Sequence, residues 1–314
     1  MNRIVSFLPA ATEMVCALGL ADELVGISHE CDYPPEVRAK PVAVRPVLPL
    51  ETMSLREIDA AVSARLRTGA SLYQVDEALL RELAPTLLLT QNLCQICAPS
   101  GDEVSQVVKS LPAPPKILYF TPKSLADMEG NLLELGAATG RRPEAEALIA
   151  TGHARLEKVA ALTRWTTRRP RVFCLEWADP PYCSGHWMAE MIELAGGVDA
   201  LSRRGAYSVR IEWEEVVRWA PEVLVLMPCG FHAQPALAQA ALLAVRPGWS
   251  ELPAVRQGRV FAVDASSYFV RPGPRLVSGV ELLAHLLHPD LVPWRGPADA
   301  FASLGRLPPA GLRS

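Results

Sequence analysis

An α/β fold in two lobes, with mainly parallel sheets flanked by helices, is what this sequence predicts. Three observations carry that expectation. Short apolar, strand-like runs alternate with amphipathic helical patterns from one end of the chain to the other. Residues 3–35 open the chain as a strand–helix–strand unit, a length that gives parallel strands joined by a right-handed crossover. At 314 residues, the chain has room for two lobes, each with its own core.

In order, residues 3–8 read as a buried strand, Pro9 as a turn, 10–18 as a helix and 23–28 as a second strand. His29, Glu30, Cys31, Asp32 and Tyr33 follow as a polar mouth before Pro34 and Pro35 break regular structure. Ligands of parallel sheets sit beyond the carboxyl ends of the strands, which makes this mouth a candidate binding edge. Residues 36–74 carry no motif that assigns them a role, although 51–65 read as a helix with an apolar stripe of Leu55, Ile58, Ala61 and Val62. Residues 68–70 are a break, 75–83 a second amphipathic helix, and 87–89 a buried strand. A helix over 101–110, a strand over 116–120 and a helix over 125–139 come next. Residues 140–162 form one long helical pattern without an internal breaker; about 20 residues at 1.5 Å rise span roughly 30 Å. The second half repeats the theme with strands at 171–176, 222–227 and 259–263. Its helices are expected at 187–195, stopped by Gly196-Gly197, and at 212–219, 235–245 and 274–287. Residues 291–314, punctuated by Pro and Gly, read as a loosely packed tail.

Composition narrows the function class. Half of the residues are hydrophobic and 21% are charged, as in ordinary globular proteins. A net charge of −3 argues against a nucleic-acid surface. No apolar run reaches the roughly 18 residues that a membrane span needs. Met1-Asn2-Arg3 leads straight into the first strand with no apolar leader or lipid-anchor cysteine, so the expected location is the cytoplasm. A periplasmic or extracellular location is the alternative if the sequence starts at a mature terminus. Seven cysteines, an odd number without scaffold-like spacing, are expected to be reduced.

Five loops follow buried strands at their carboxyl ends: 29–33, 92–97, 176–187, 228–232 and 266–271. They hold five of the seven cysteines and three of the six histidines. Cys94-x-x-Cys97 suggests a metal or redox pair, yet no second Cys-x-x-Cys exists to complete a zinc site. Cys183 and His186, Cys229, or His29 with Cys31 would have to complete it; packed, reduced thiols are the competing explanation. Cys16 and Cys174 fall inside a helix and a strand and read as core. The aromatic set Tyr33, Trp177, Tyr182, Trp187, Phe231, Tyr268 and Phe269 would floor and wall a pocket for a large planar ligand, although core packing competes for each ring. Arg271 and Glu176 would orient such a ligand through its polar periphery. Neither a nucleophile elbow nor a phosphate loop is present, and nothing beyond the thiols points to catalysis.

Ser6, Pro9 and Ala10, then Thr12, Glu13 and Gly19, then Val25, Gly26 and Ser28, and Asp32-Tyr33-Pro34-Pro35 form a connected pattern. It resembles the substrate-binding proteins of iron-siderophore and cobalamin ABC transporters, which share a helical-backbone periplasmic binding protein fold, and is nearest to the cobalamin branch. The resemblance covers most of residues 3–288. It implies two lobes joined by one rigid helix. That gives an N-terminal lobe over 1–139, a linker over 140–165, a C-terminal lobe over 166–290 and a tail over 291–314. It also implies reversible capture of cobalamin or a related corrinoid chelate in a cleft, with an ABC transporter or a corrinoid-using protein as partner. In that family, the segments matching 180–185 and 268–275 face the ligand. The alternative is a cytoplasmic metal-binding or thiol-redox protein on the same scaffold, with zinc or iron at Cys94, Cys97, Cys183, His186 and Cys229. The corrinoid reading expects Cys31, Cys94, Cys97, Cys183, His186 and Cys229 to open spread around one cleft, with aromatics between them.

Overall fold

The computed structural model describes residues 2–91, 107–109, 111–166 and 168–305. It divides into two compact units, Met1–Pro122 with Ala126–Ala150, and Lys123–Leu125 with Thr151–Ser314. Each is α/β, with a mainly parallel sheet as its framework.

In the first unit, the strands are β1 (Ile4–Ser6), β2 (Leu24–Ser28), β3 (Val42–Pro46), β4 (Tyr73–Val75), β5 (Leu87–Thr90) and β6 (Lys116–Tyr119). Among the described residues they form a six-stranded sheet in the order β4-β3-β2-β1-β5-β6. Only β4 runs antiparallel to its neighbour there. The central strands β1 and β5 are buried along their whole length, which is why they read as apolar runs rather than as alternating patterns. Helix Pro9–Ala17 begins on a proline, whose missing N–H is no loss in the first turn. Helix Leu55–Thr68 starts at a capping box, in which Ser54 Oγ accepts from the Glu57 N–H and Glu57 reaches back to Ser54. The helix expected over 75–83 begins only at Glu77. Residues 73–75 are instead the edge strand β4, and Asp76 caps helix Glu77–Leu83 through the Leu79 N–H.

Helix Arg142–Thr163, 22 residues long, begins in the first unit and ends in the second. Near its end, the Arg155 guanidinium forks onto both carboxylate oxygens of Glu281 at 2.9 and 2.6 Å.

In the second unit, the strands are β7 (Val172–Ala178), β8 (Pro181–Cys183), β9 (Gly185–His186), β10 (Arg203–Arg204), β11 (Val223–Leu226), β12 (Val260–Val263) and β13 (Phe301–Ser303). The main sheet has the order β13-β12-β11-β7-β8, with β7, β11 and β12 mutually parallel. β9 and β10 pair separately. Three expectations need correction. β7 runs two residues further than expected and folds back as the antiparallel strand β8, because Leu175 pairs with Cys183 and Trp177 with Tyr182. The helix expected over 235–245 is two short helices, Ala233–Ala238 and Ala240–Ala244. The tail is not loose as far as residue 303. There β13 pairs antiparallel with β12 and satisfies its outer edge, while Val292 and Ala300 are buried.

Candidate functional site

Because β7, β11 and β12 run parallel, residues 178, 227 and 264 leave the sheet along one edge of the second unit. That edge is aromatic. The Trp177 and Phe231 rings meet edge to face at 6.1 Å between centroids, and both are partly exposed. Trp177 Nε1 is buried without a hydrogen-bond partner among the described residues. Tyr182, on β8, holds Arg210: the guanidinium Nε donates to the Tyr182 hydroxyl at 3.1 Å and its carbon lies 5.8 Å from the ring centroid.

Next to Trp177, Glu176 accepts from the Ser208 hydroxyl and, at 3.3 Å, from the Gly185 N–H. Burial pushes its carboxyl up to about 6 against the pull of those two donors. Gly185 makes the arrangement possible, since a Cβ there would lie 2.5 Å from Ala206 O and from Ser208 N. His186 follows, at a φ of +51°, with its ring 5.2 Å from that of Trp187 and 5.4 Å from that of Tyr207. Burial, with help from the Lys123 charge, holds its pKa below the usual histidine range, so the ring is neutral at pH 7. Tyr268 ends the short helix Ala265–Tyr268, edge-on to Trp294 at 5.9 Å, and Arg271 lies partly buried in the turn beyond it.

Two of the expected ligand-facing aromatics are core. The Trp187 ring is buried and its Nε1 donates to Phe269 O at 2.8 Å, and Phe269 is 0% exposed. Cys183 also departs from expectation. Cys183 is buried because its strand pairs with β7, and burial pushes its thiol up, which leaves it a protonated core residue. Cys229 is exposed on the loop after β11.

In the first unit, the corresponding edge carries Ser28 at the end of β2 and His29 just beyond it. The His29 N–H donates to Val44 O at 3.0 Å, and its ring lies 6.0 Å from that of Tyr73. Cys31 does not open to solvent; it is buried, with its sulfur 3.0 Å from Thr12 Oγ1 and 3.4 Å from Ser28 Oγ. Tyr33 is 45% exposed beside Pro34. Cys94 and Cys97 lie outside the described residues. Among the described residues, no group of three or more His, Cys, Asp and Glu side chains is arranged to hold a metal ion.

One pair escaped the sequence reading. His232 Nδ1 stands 3.1 Å from Asp264 Oδ2, across the loops that follow β11 and β12. Asp264 also caps helix Ala265–Tyr268, accepting from the Ser267 N–H at 3.0 Å and from its hydroxyl at 2.7 Å. The sequence reading gave Asp264 no role, and its contact with a histidine on another loop is a tertiary pairing.

Comparison with known proteins agrees with this architecture. The family model described as "Periplasmic binding protein" matches residues 4–266. An ABC transporter substrate-binding lipoprotein of Bacillus subtilis is 26% identical over 92% of this chain and 81% of its own length. A vitamin B12-binding protein of Vibrio cholerae is 24% identical over 89% of this chain and 87% of its own. A periplasmic heme-binding protein of Pseudomonas aeruginosa superposes with a TM-score of 0.74 at 19% identity, covering 98% of this chain and 99% of that one. The likeness to this last structure is one of fold alone. With the family model covering more than half of the chain, on a sheet framework that sends its loops to the carboxyl edge, this protein belongs to the periplasmic binding protein family.

Proposed function

We propose that this chain is the substrate-binding protein of an ABC transporter and that its ligand is cobalamin or a related corrinoid. The observation that carries the reading is the Trp177–Phe231 pair at the carboxyl edge of the second sheet, with Trp177 Nε1 buried and unpartnered among the described residues. Partly exposed rings on a fixed strand end suit the face of a large, flat macrocycle, because they bury area without losing side-chain freedom. Tyr182 with Arg210 on the same unit supplies aromatic and hydrogen-bonding groups for an amide-rich periphery. The B12-binding relative supports a corrinoid, and the heme-binding fold neighbour is consistent with a flat metal chelate.

Tryptophan fluorescence titrated with cyanocobalamin tests this reading. Saturable quenching at micromolar protein is expected, with Trp177→Phe removing much of the signal. Phe231→Ala should weaken binding by about 1–3 kcal/mol, the usual cost of losing an aromatic anchor. Absence of quenching and of heat with both cyanocobalamin and dicyanocobinamide overturns the corrinoid reading, and saturable binding of hemin in their place moves the ligand to heme.

A further inference from the structure

We infer that His232, oriented by Asp264, is a coordinating residue for the metal at the centre of the bound chelate, and that the protein therefore favours chelates with an exchangeable axial position. The inference rests on the chelate-binding reading above. Its basis is the pairing of two residues from different strand-end loops. His232 Nδ1 lies 3.1 Å from Asp264 Oδ2, while the His232 side chain is 64% exposed. Asp264 is only 16% exposed and is itself fixed by the Ser267 N–H and hydroxyl, so the carboxylate is a built feature and not a mobile surface group.

A carboxylate at Nδ1 fixes the tautomer with the proton on that nitrogen, turns the ring, and makes the other nitrogen a better donor to a metal. That other nitrogen, Nε2, belongs to an exposed side chain at the sheet edge that carries Phe231, the residue immediately before His232. A histidine serving only the fold would be expected to bury its ring, as His288 does with its Nε2 3.2 Å from Gly196 O. His186, the other histidine of this unit's edge, is half-buried between two aromatic rings and is the less accessible donor.

The step is a ligand exchange. A water bound to the metal leaves, the Nε2 lone pair forms the new metal–nitrogen bond, the proton stays on Nδ1 and is donated to the Asp264 carboxylate, and the metal keeps its oxidation state. Chelates with both axial positions blocked would be held by the aromatic and polar contacts alone.

Diaquocobinamide, with open axial positions, and dicyanocobinamide kept in excess cyanide, with both blocked, share one ring and separate the two contributions. The wild-type protein is expected to bind both and to shift the near-ultraviolet band of diaquocobinamide in the way free imidazole does. His232→Ala should lose that shift and at least about tenfold in affinity for diaquocobinamide, with dicyanocobinamide binding unchanged. Asp264→Asn should weaken the shift, and Cys229→Ser should leave it intact. If His232→Ala keeps the shift and the affinity, or loses both ligands equally, the coordinating role is wrong while the binding reading survives in the wild type. If the wild type binds neither cobinamide, both fall.

Discussion

Glu176 is the residue whose chemistry is most at odds with simple stability. It sits on a sheet strand with its carboxyl pushed from 4.5 up to about 6 by burial, held by Ser208 and the Gly185 N–H. A carboxyl whose native pKa lies above its unfolded value binds its proton more tightly in the folded state. Its stabilising contribution is therefore complete below pH 4.5 and is lost as pH rises through 6. At pH 7.5 the ionised group costs the fold about 2 kcal/mol. Glu176→Gln keeps the hydrogen-bonding shape without the charge. It is expected to raise stability at pH 7.5 by up to about that amount and to change little at pH 4. Urea denaturation at the two pH values measures this; an equal loss of stability at both would show that the carboxylate matters for packing and not for charge.

At the scale of the elements, close packing at one glycine holds helix Leu276–Leu287 against the turn that follows β12. A Cβ on Gly279, within helix Leu276–Leu287, would collide with the carbonyl oxygen of Tyr268 and lie 2.7 Å from Met191 Cε. Gly279→Ala is expected to destabilise the second unit by at least about 2 kcal/mol, because a backbone carbonyl cannot step aside as a flexible side chain can. An unchanged urea midpoint would contradict that packing. The elements themselves were largely legible in the sequence. Strands such as β5 and β11 are buried throughout and show as unbroken apolar runs, and the break expected at 68–70 is where Gly69 stops a helix in the left-handed conformation. The β7–β8 hairpin was not legible. Pro180-Pro181-Tyr182-Cys183 shows no alternation, and its pairing with Trp177 is a tertiary event. The same limit applied within the site. Parallel strands announced which loops reach the edge, but Trp187 and Phe269 differ from Trp177 and Phe231 only in which way they face, and aromatic identity does not encode that. Nor could His232 and Asp264 be paired before β11 and β12 were known to lie side by side.

For the whole molecule, the account rests on topology. Each unit has its own sheet, and in each the parallel strands deliver the polar and aromatic loops to the carboxyl edge. Membership of the periplasmic binding protein family fixes the framework, and the aromatic carboxyl edge of the second sheet is where the proposed ligand would lie. The central claim is therefore about place: the proposed ligand contacts the carboxyl-edge loops of the second sheet and leaves its opposite edge untouched. Amide hydrogen exchange with and without cyanocobalamin measures this across the second unit. Slowed exchange is expected in residues 177–183, 228–232 and 264–271, with the strand-entry segments 169–171 and 257–259 unchanged. Protection confined to those entry segments, or cyanocobalamin bound with no protection at the carboxyl edge, would contradict the account.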